Sequence, residues 1–135
     1  MKIFSILVVE DDDVDFMNVE RSFNKINIAN PVIRAKDGIE AMEKLRNNEV
    51  SRPVIIFLDL SMPRMNGHEF LQELRSDDSF KNLPVIVMTV SNEESDKTRA
   101  YDKHIQGYVV KPIKFDDFVD IMAKINAYWM MCELP

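Results

Sequence analysis

The chain has 135 residues and a formal net charge of -6, from 23 acidic and 17 basic side chains. That length, with 46% hydrophobic content, suits one domain with one filled core, expected over residues 1–135. The acidic balance opposes binding to nucleic-acid backbones and to anionic membrane surfaces.

The single cysteine, Cys132, can close no intrachain disulfide, which fits a cytoplasmic setting. No apolar run approaches the roughly 20 residues that span a bilayer. The opening run stops at Glu10-Asp11-Asp12-Asp13 without a small-residue cleavage site, so it reads as a strand over 3–9 and not as a signal peptide.

After the acidic run, Phe16, Val19, Phe23 and Ile26 form the apolar stripe of an amphipathic helix. Pro31 opens a short strand over 32–35. Asp37 and Glu40 then have capping-box spacing before a second helix that turns Ala41, Met42 and Leu45 inward. Pro53 introduces Val54-Ile55-Ile56-Phe57-Leu58, a run apolar on both faces, as in the middle of a parallel sheet. Asn66 and Glu69 give cap spacing again, ahead of Phe70, Leu71 and Leu74.

A fourth strand over 85–89 follows Pro84. Ser91 and Glu94 make another box, but the helix after them offers only Ala100, Tyr101 and Ile105 as anchors and is expected to be the most loosely held. The fifth strand, 107–110, ends at Lys111-Pro112, and the last helix covers about 115–129. Strict strand–helix alternation with short connections predicts a parallel sheet in a three-layer α/β/α sandwich.

Polar residues then collect at strand ends: Glu10 and Asp11 after the first, Asp59 after the third, Thr89 on the fourth, Lys111 after the fifth. In a parallel sheet these ends share one edge, where open α/β folds bind ligands. Carboxylates crowded there need protonation or a hard divalent cation with oxygen ligands, for which magnesium is the natural choice. Taken singly, each residue has a plainer reading: acids at a helix N-terminus, a β-forming threonine, a surface lysine. Only the convergence favours chemistry. His68-Glu69 lacks the second histidine of a zinc H-E-x-x-H helix, since Gln72 stands there, and reads as a surface histidine.

Together Glu10-Asp11, the D-x-x-x-P-x-x-x-G run from Asp59 to Gly67, Thr89, Tyr108 and Lys111-Pro112 resemble the receiver domain of two-component response regulators, over about 3–129. The run 64–67 and the loop 79–84 are most similar to stand-alone regulators of the cyanobacterial phytochrome type. The resemblance implies a flavodoxin-like doubly wound sheet of order 2-1-3-4-5. It also implies a phosphoacceptor at Asp59, charged by a sensor histidine kinase or phosphotransfer protein. Magnesium would be held by Asp11, Asp59 and the Ser61 carbonyl, with Glu10 reaching it through water.

By the same resemblance, Lys111 pairs with the phosphoryl oxygens, the Lys111-Pro112 peptide is cis, and Thr89 and Tyr108 form the switch. The chain would be a regulatory phosphoacceptor and not an enzyme on other substrates. With no output domain after Trp129, it would act through a downstream protein or a homodimer made by the fourth helix, fifth strand and fifth helix. On the last helix Phe118, Met122, Ile125 and Trp129 are spaced to face the sheet, leaving Ile121, Tyr128 and Cys132 on a flank. Ser61 and Val90 depart from the usual family residues, and Val90 is expected to crowd the approach to Asp59. A constitutive binding module without phosphotransfer and a metal-dependent phosphatase are the competing functions.

Overall fold

The computed structural model describes residues 3–135. Five strands alternate with five helices: β1 (Ser5–Val9), α1 (Asp13–Lys25), β2 (Val32–Ala35), α2 (Gly38–Arg46), β3 (Val54–Leu58), α3 (Gly67–Ser76), β4 (Val85–Thr89), α4 (Glu94–Asp102), β5 (Gly107–Val110) and α5 (Phe115–Met131). The strands form one parallel sheet in the order β2-β1-β3-β4-β5. The first strand starts two residues later than the sequence implied, and Ile3 is exposed.

Alternation along the buried strands divides the core. Leu7, Val9, Ile56, Leu58, Val85 and Val87 face one layer, with Ala41, Met42, Phe70, Leu71 and Leu74 from α2 and α3. Ile6, Val8, Ile55, Phe57, Ile86 and Met88 face the other, with Val19, Phe23, Phe118, Met122 and Trp129 from α1 and α5. Side chains as fully buried as Phe70 and Leu71 contribute on the order of 2 kcal/mol each. Ile125 packs at the edge of the second layer, so the expected inner face of α5 is as found, while Tyr128 stays exposed. Cys132 and Leu134 also lie against this layer, so part of the tail folds back on its own domain.

Of the three capping boxes expected, one forms completely and one by half. Asn66 and Glu69 make a complete box, each side chain accepting from the other's backbone N–H. Asp37 caps α2 through the Glu40 N–H, whereas the Glu40 carboxylate accepts from Lys36. The box expected at Ser91 and Glu94 is absent: α4 begins after Glu93 without a side-chain cap, because the Ser91 hydroxyl donates to Asp96 instead.

The expected cis peptide is also corrected. Among the described residues the cis bond is Arg52-Pro53, and Lys111-Pro112 is trans. An X-Pro bond prefers trans by only about 0.5–1 kcal/mol, so surroundings select the isomer at each site.

Candidate functional site

The sheet register builds the site. Val9 lies opposite Leu58, so Glu10 and Asp59 leave neighbouring strands side by side, and the Asp59 N–H donates to the Val9 carbonyl at 3.1 Å. Thr89 lies opposite Val110, and the Lys111 N–H donates to the Thr89 carbonyl at 2.8 Å, so β5 delivers its lysine to the same edge.

Lys111 Nζ reaches Glu10 Oε1 at 2.7 Å, Asp15 Oδ2 at 3.1 Å and Asp59 Oδ2 at 3.3 Å. The other Asp59 oxygen, Oδ1, accepts from the Ser61 N–H at 3.2 Å. Glu10 and Asp59 are buried and Asp15 half-buried, so one ammonium neutralises carboxylates withdrawn from water. Burial pushes the Glu10 carboxyl up to about 7, against the pull of Lys111 and with the charge of Asp59 adding to the rise. For Lys111 burial works downward, but the Glu10 hydrogen bond and the charges of Asp59 and Glu10 outweigh it, so its pKa lies above the ordinary value.

Carboxylate oxygens of Glu10, Asp15 and Asp59 lie within 4.8 Å of one another. Hard oxygen donors this close fit a small divalent cation such as magnesium. Asp11, expected as a direct ligand, is exposed at the rim, outside that group, and its carboxylate has no partner among the described residues. Ser61 is exposed beside Asp59. Asp15 was not singled out from the sequence, where an acid in the first turn of a helix reads as a dipole partner. Asp12 has that plain role: it caps α1 by accepting from the Asp15 N–H at 2.9 Å, which also fixes where Asp15 begins.

A cleft of about 100 Å³ runs from the acids between α1 and α5, past Asn18, Phe57, Met88 and Ile113. Val90 does not line this cleft and is 72% exposed.

Thr89 is fully buried, and its Oγ1 accepts from the Ser91 N–H at 3.4 Å. The Tyr108 hydroxyl donates to the Ser91 carbonyl at 3.0 Å, and the Ser91 hydroxyl to Asp96 Oδ2 at 2.5 Å. His68 Nε2 meets Asp96 Oδ1 at 2.9 Å, so this histidine is half-buried between α3 and α4 and is no free surface group. Ser91 thus joins Thr89, Tyr108 and the start of α4.

Residues 6–123 match the family model described as "Response regulator receiver domain". The chain belongs to that family. It is 33% identical over 130 residues to "Probable methanogenesis regulatory protein FilR2" of Methanothrix harundinacea, covering 94% of this chain and 84% of the relative. The phosphorylated cyanobacterial phytochrome response regulator RcpA superposes with a TM-score of 0.90 at 32% identity over 99% of both chains. The Mn(2+)-bound form of response regulator Rcp1 gives 0.87 at 31%, covering 98% of this chain and 99% of that one; Rcp1 comes from Synechocystis. The receiver fold of these relatives is the flavodoxin-like, five-stranded order seen here.

Two clamps around this receiver site also went unread in the sequence. Arg64, at a positive φ of 59°, donates through Nε to Asp37 Oδ2 at 2.6 Å, and the Gly38 N–H donates to the Met65 carbonyl at 3.0 Å. They hold the loop after Asp59 against the start of α2. Arg34, on β2, engages the acidic loop after β1. On a short strand Arg34 looks like an ordinary solvent-facing charge, and in a loop so does Arg64, so only long-range contacts reveal them.

Proposed function

We propose that this receiver is a phosphorylation-driven switch, a single domain that accepts a phosphoryl group on Asp59 from a histidine kinase or phosphotransfer protein. The observation that carries the reading is a buried carboxylate at the end of β3, 3.3 Å from an ammonium and beside a second buried acid. An Asp59 carboxylate oxygen forms the new bond to phosphorus while the P–N bond of the donor phosphohistidine breaks, its electron pair leaving with the imidazole. Such a transfer is governed by positioning and charge neutralisation. Lys111 trades a carboxylate contact for a phosphoryl oxygen. Magnesium, bound among Glu10, Asp11, Asp59 and the Ser61 carbonyl, would supply further positive charge for the phosphoryl oxygens. Asp15 keeps a carboxylate near Lys111 throughout.

The output side follows from Ser91. When the Thr89 hydroxyl turns to the phosphoryl group, its contact with the Ser91 N–H is given up, and the Tyr108 hydroxyl loses a fixed acceptor as that loop moves. This biases α4, β5 and α5 between two packings. The face they form would bind a downstream protein or a second copy. The protein is then a regulatory phosphoacceptor, catalysing only its own phosphorylation and dephosphorylation.

Intact mass after incubation with acetyl phosphate and magnesium tests the core of this. The wild type gains one phosphoryl group and Asp59→Asn gains none; equal labelling of both would remove Asp59 from the mechanism. Sedimentation with a phosphoryl mimic tests the second copy: association that Tyr128→Asp leaves intact would place the contact on another face.

A further inference from the structure

The turn after β1 poses a problem of charge and of backbone. Glu10, Asp11, Asp12, Asp13 and Asp15 stand almost consecutively. The ladder to β2 ends when the Glu10 N–H donates to Ala35 at 2.9 Å, and beyond that point no strand among the described residues supplies donors to the carbonyls of Glu10 and Asp11. A loop of like charges with free carbonyls has many conformations, yet Glu10 must point inward to Lys111.

Arg34 supplies the missing donors. Its Nε donates to the Glu10 carbonyl at 3.0 Å and its Nη2 to the Asp11 carbonyl at 3.1 Å. Nη1 lies 2.8 Å from Asp13 Oδ1, and the guanidinium sits 4.8 Å from the centre of the Phe16 ring. One planar fork thereby fixes two loop carbonyls, draws Asp13 away from the crevice and rests on the first helix. Asp12 is meanwhile used in capping, so the acids are sorted. Glu10 and Asp15 go to Lys111, Asp13 goes to Arg34, and Asp11 is left at the rim with no partner among the described residues.

We infer that Arg34 is a positioning residue for cation binding: it holds the backbone of Glu10 and Asp11 so that their carboxylates are ready for a divalent cation. The inference rests on the magnesium site of the proposed function. It makes a prediction opposite in sign to simple electrostatics. Arg34 is a positive charge close to the site, so as a charge alone it repels the cation, and its removal would tighten binding. As an organiser of the loop its removal weakens binding. Lysine, a point charge on a flexible stem, cannot reproduce the fork and should not restore affinity fully.

The test is calorimetric titration of metal-free wild type, Arg34→Ala and Arg34→Lys with magnesium, alongside urea unfolding without the metal. The expected result is a rise in Kd of about tenfold for Arg34→Ala, the scale of losing an outer-shell support, with incomplete recovery in Arg34→Lys. Unchanged or tighter binding in Arg34→Ala, whatever its urea midpoint, would overturn the inference by making the clamp merely structural, and so would wild-type affinity in Arg34→Lys. Should Arg34→Ala fail to fold, Arg34→Lys decides: weakened binding supports the inference and wild-type affinity overturns it. If the wild type itself binds no magnesium, the proposed metal site falls and takes this inference with it, an outcome distinct from loss of the Arg34 effect alone.

Discussion

Helices α3 and α4 are nearly equal in length, with 10 and 9 residues, yet they are held in opposite ways. Helix α3 begins in a complete capping box and buries Gly67, Phe70, Leu71 and Leu74. Helix α4 has no side-chain cap and buries only Ala100. The first follows the loop that carries Asp59 and the second follows Thr89 and Ser91. The difference teaches that Asp59 is followed by a firmly packed element, while the element after Thr89 and Ser91 is held loosely enough to be repacked at small energetic cost.

The sharpest way to break this contrast is at Gly67. A Cβ there would lie 2.6 Å from the Leu60 Cα and 2.7 Å from the Asp59 carbonyl oxygen, both backbone atoms that cannot step aside. Gly67→Ala should lower the urea-unfolding free energy by about 2–3 kcal/mol and reduce labelling of Asp59. Loss of stability with labelling untouched would show that α3 does not position the acceptor.

Smaller effects come from the caps. Asn66→Ala should cost about 1 kcal/mol, because the Glu69 N–H loses its acceptor. Glu93→Ala, at a position with no side-chain cap bond, should stay within about 0.5 kcal/mol. Similar losses for both would erase the distinction between the two helix starts.

The smallest effect concerns acid. The Ser91 hydroxyl, and then His68, hold the Asp96 carboxyl below its ordinary 3.8. A lowered carboxyl contributes stability above its unfolded value and loses it as pH falls through the folded one. Protonation of Asp96, followed by the NMR shifts of its own side-chain carbons, should therefore begin only as pH drops below about 4. A midpoint above the ordinary carboxylate value would show that the Ser91 hydrogen bond does not hold this carboxyl down.

Much of this was readable in the chain. Runs such as Val54 to Leu58 and Val85 to Thr89 gave strands with the observed limits, since apolar residues between prolines and polar exits leave little choice. Asp59 and Lys111 were legible for the same reason: a charge at the end of a buried strand stands out. What escaped depended on competition or distance. Ser91 had cap spacing, but Asp96 offered its hydroxyl a charged acceptor within one turn. Asp15 meets Lys111 across 96 positions, and Arg34 meets Glu10 across 24, so neither pairing leaves a local pattern.

The chain contains one tryptophan, and it is Trp129, 4% exposed in the layer between the sheet and α5. Its ring stands edge-on to Tyr128, 5.1 Å between centres. The chain thus carries a single indole, near the far end of α5, with no second one to average over. Its emission, excited beyond the tyrosine band, reports on how α5 is seated against the sheet and α1. A phosphorylation signal that reaches this helix can be followed optically in the unlabelled chain, and one confined to α4 will leave the emission dark to it.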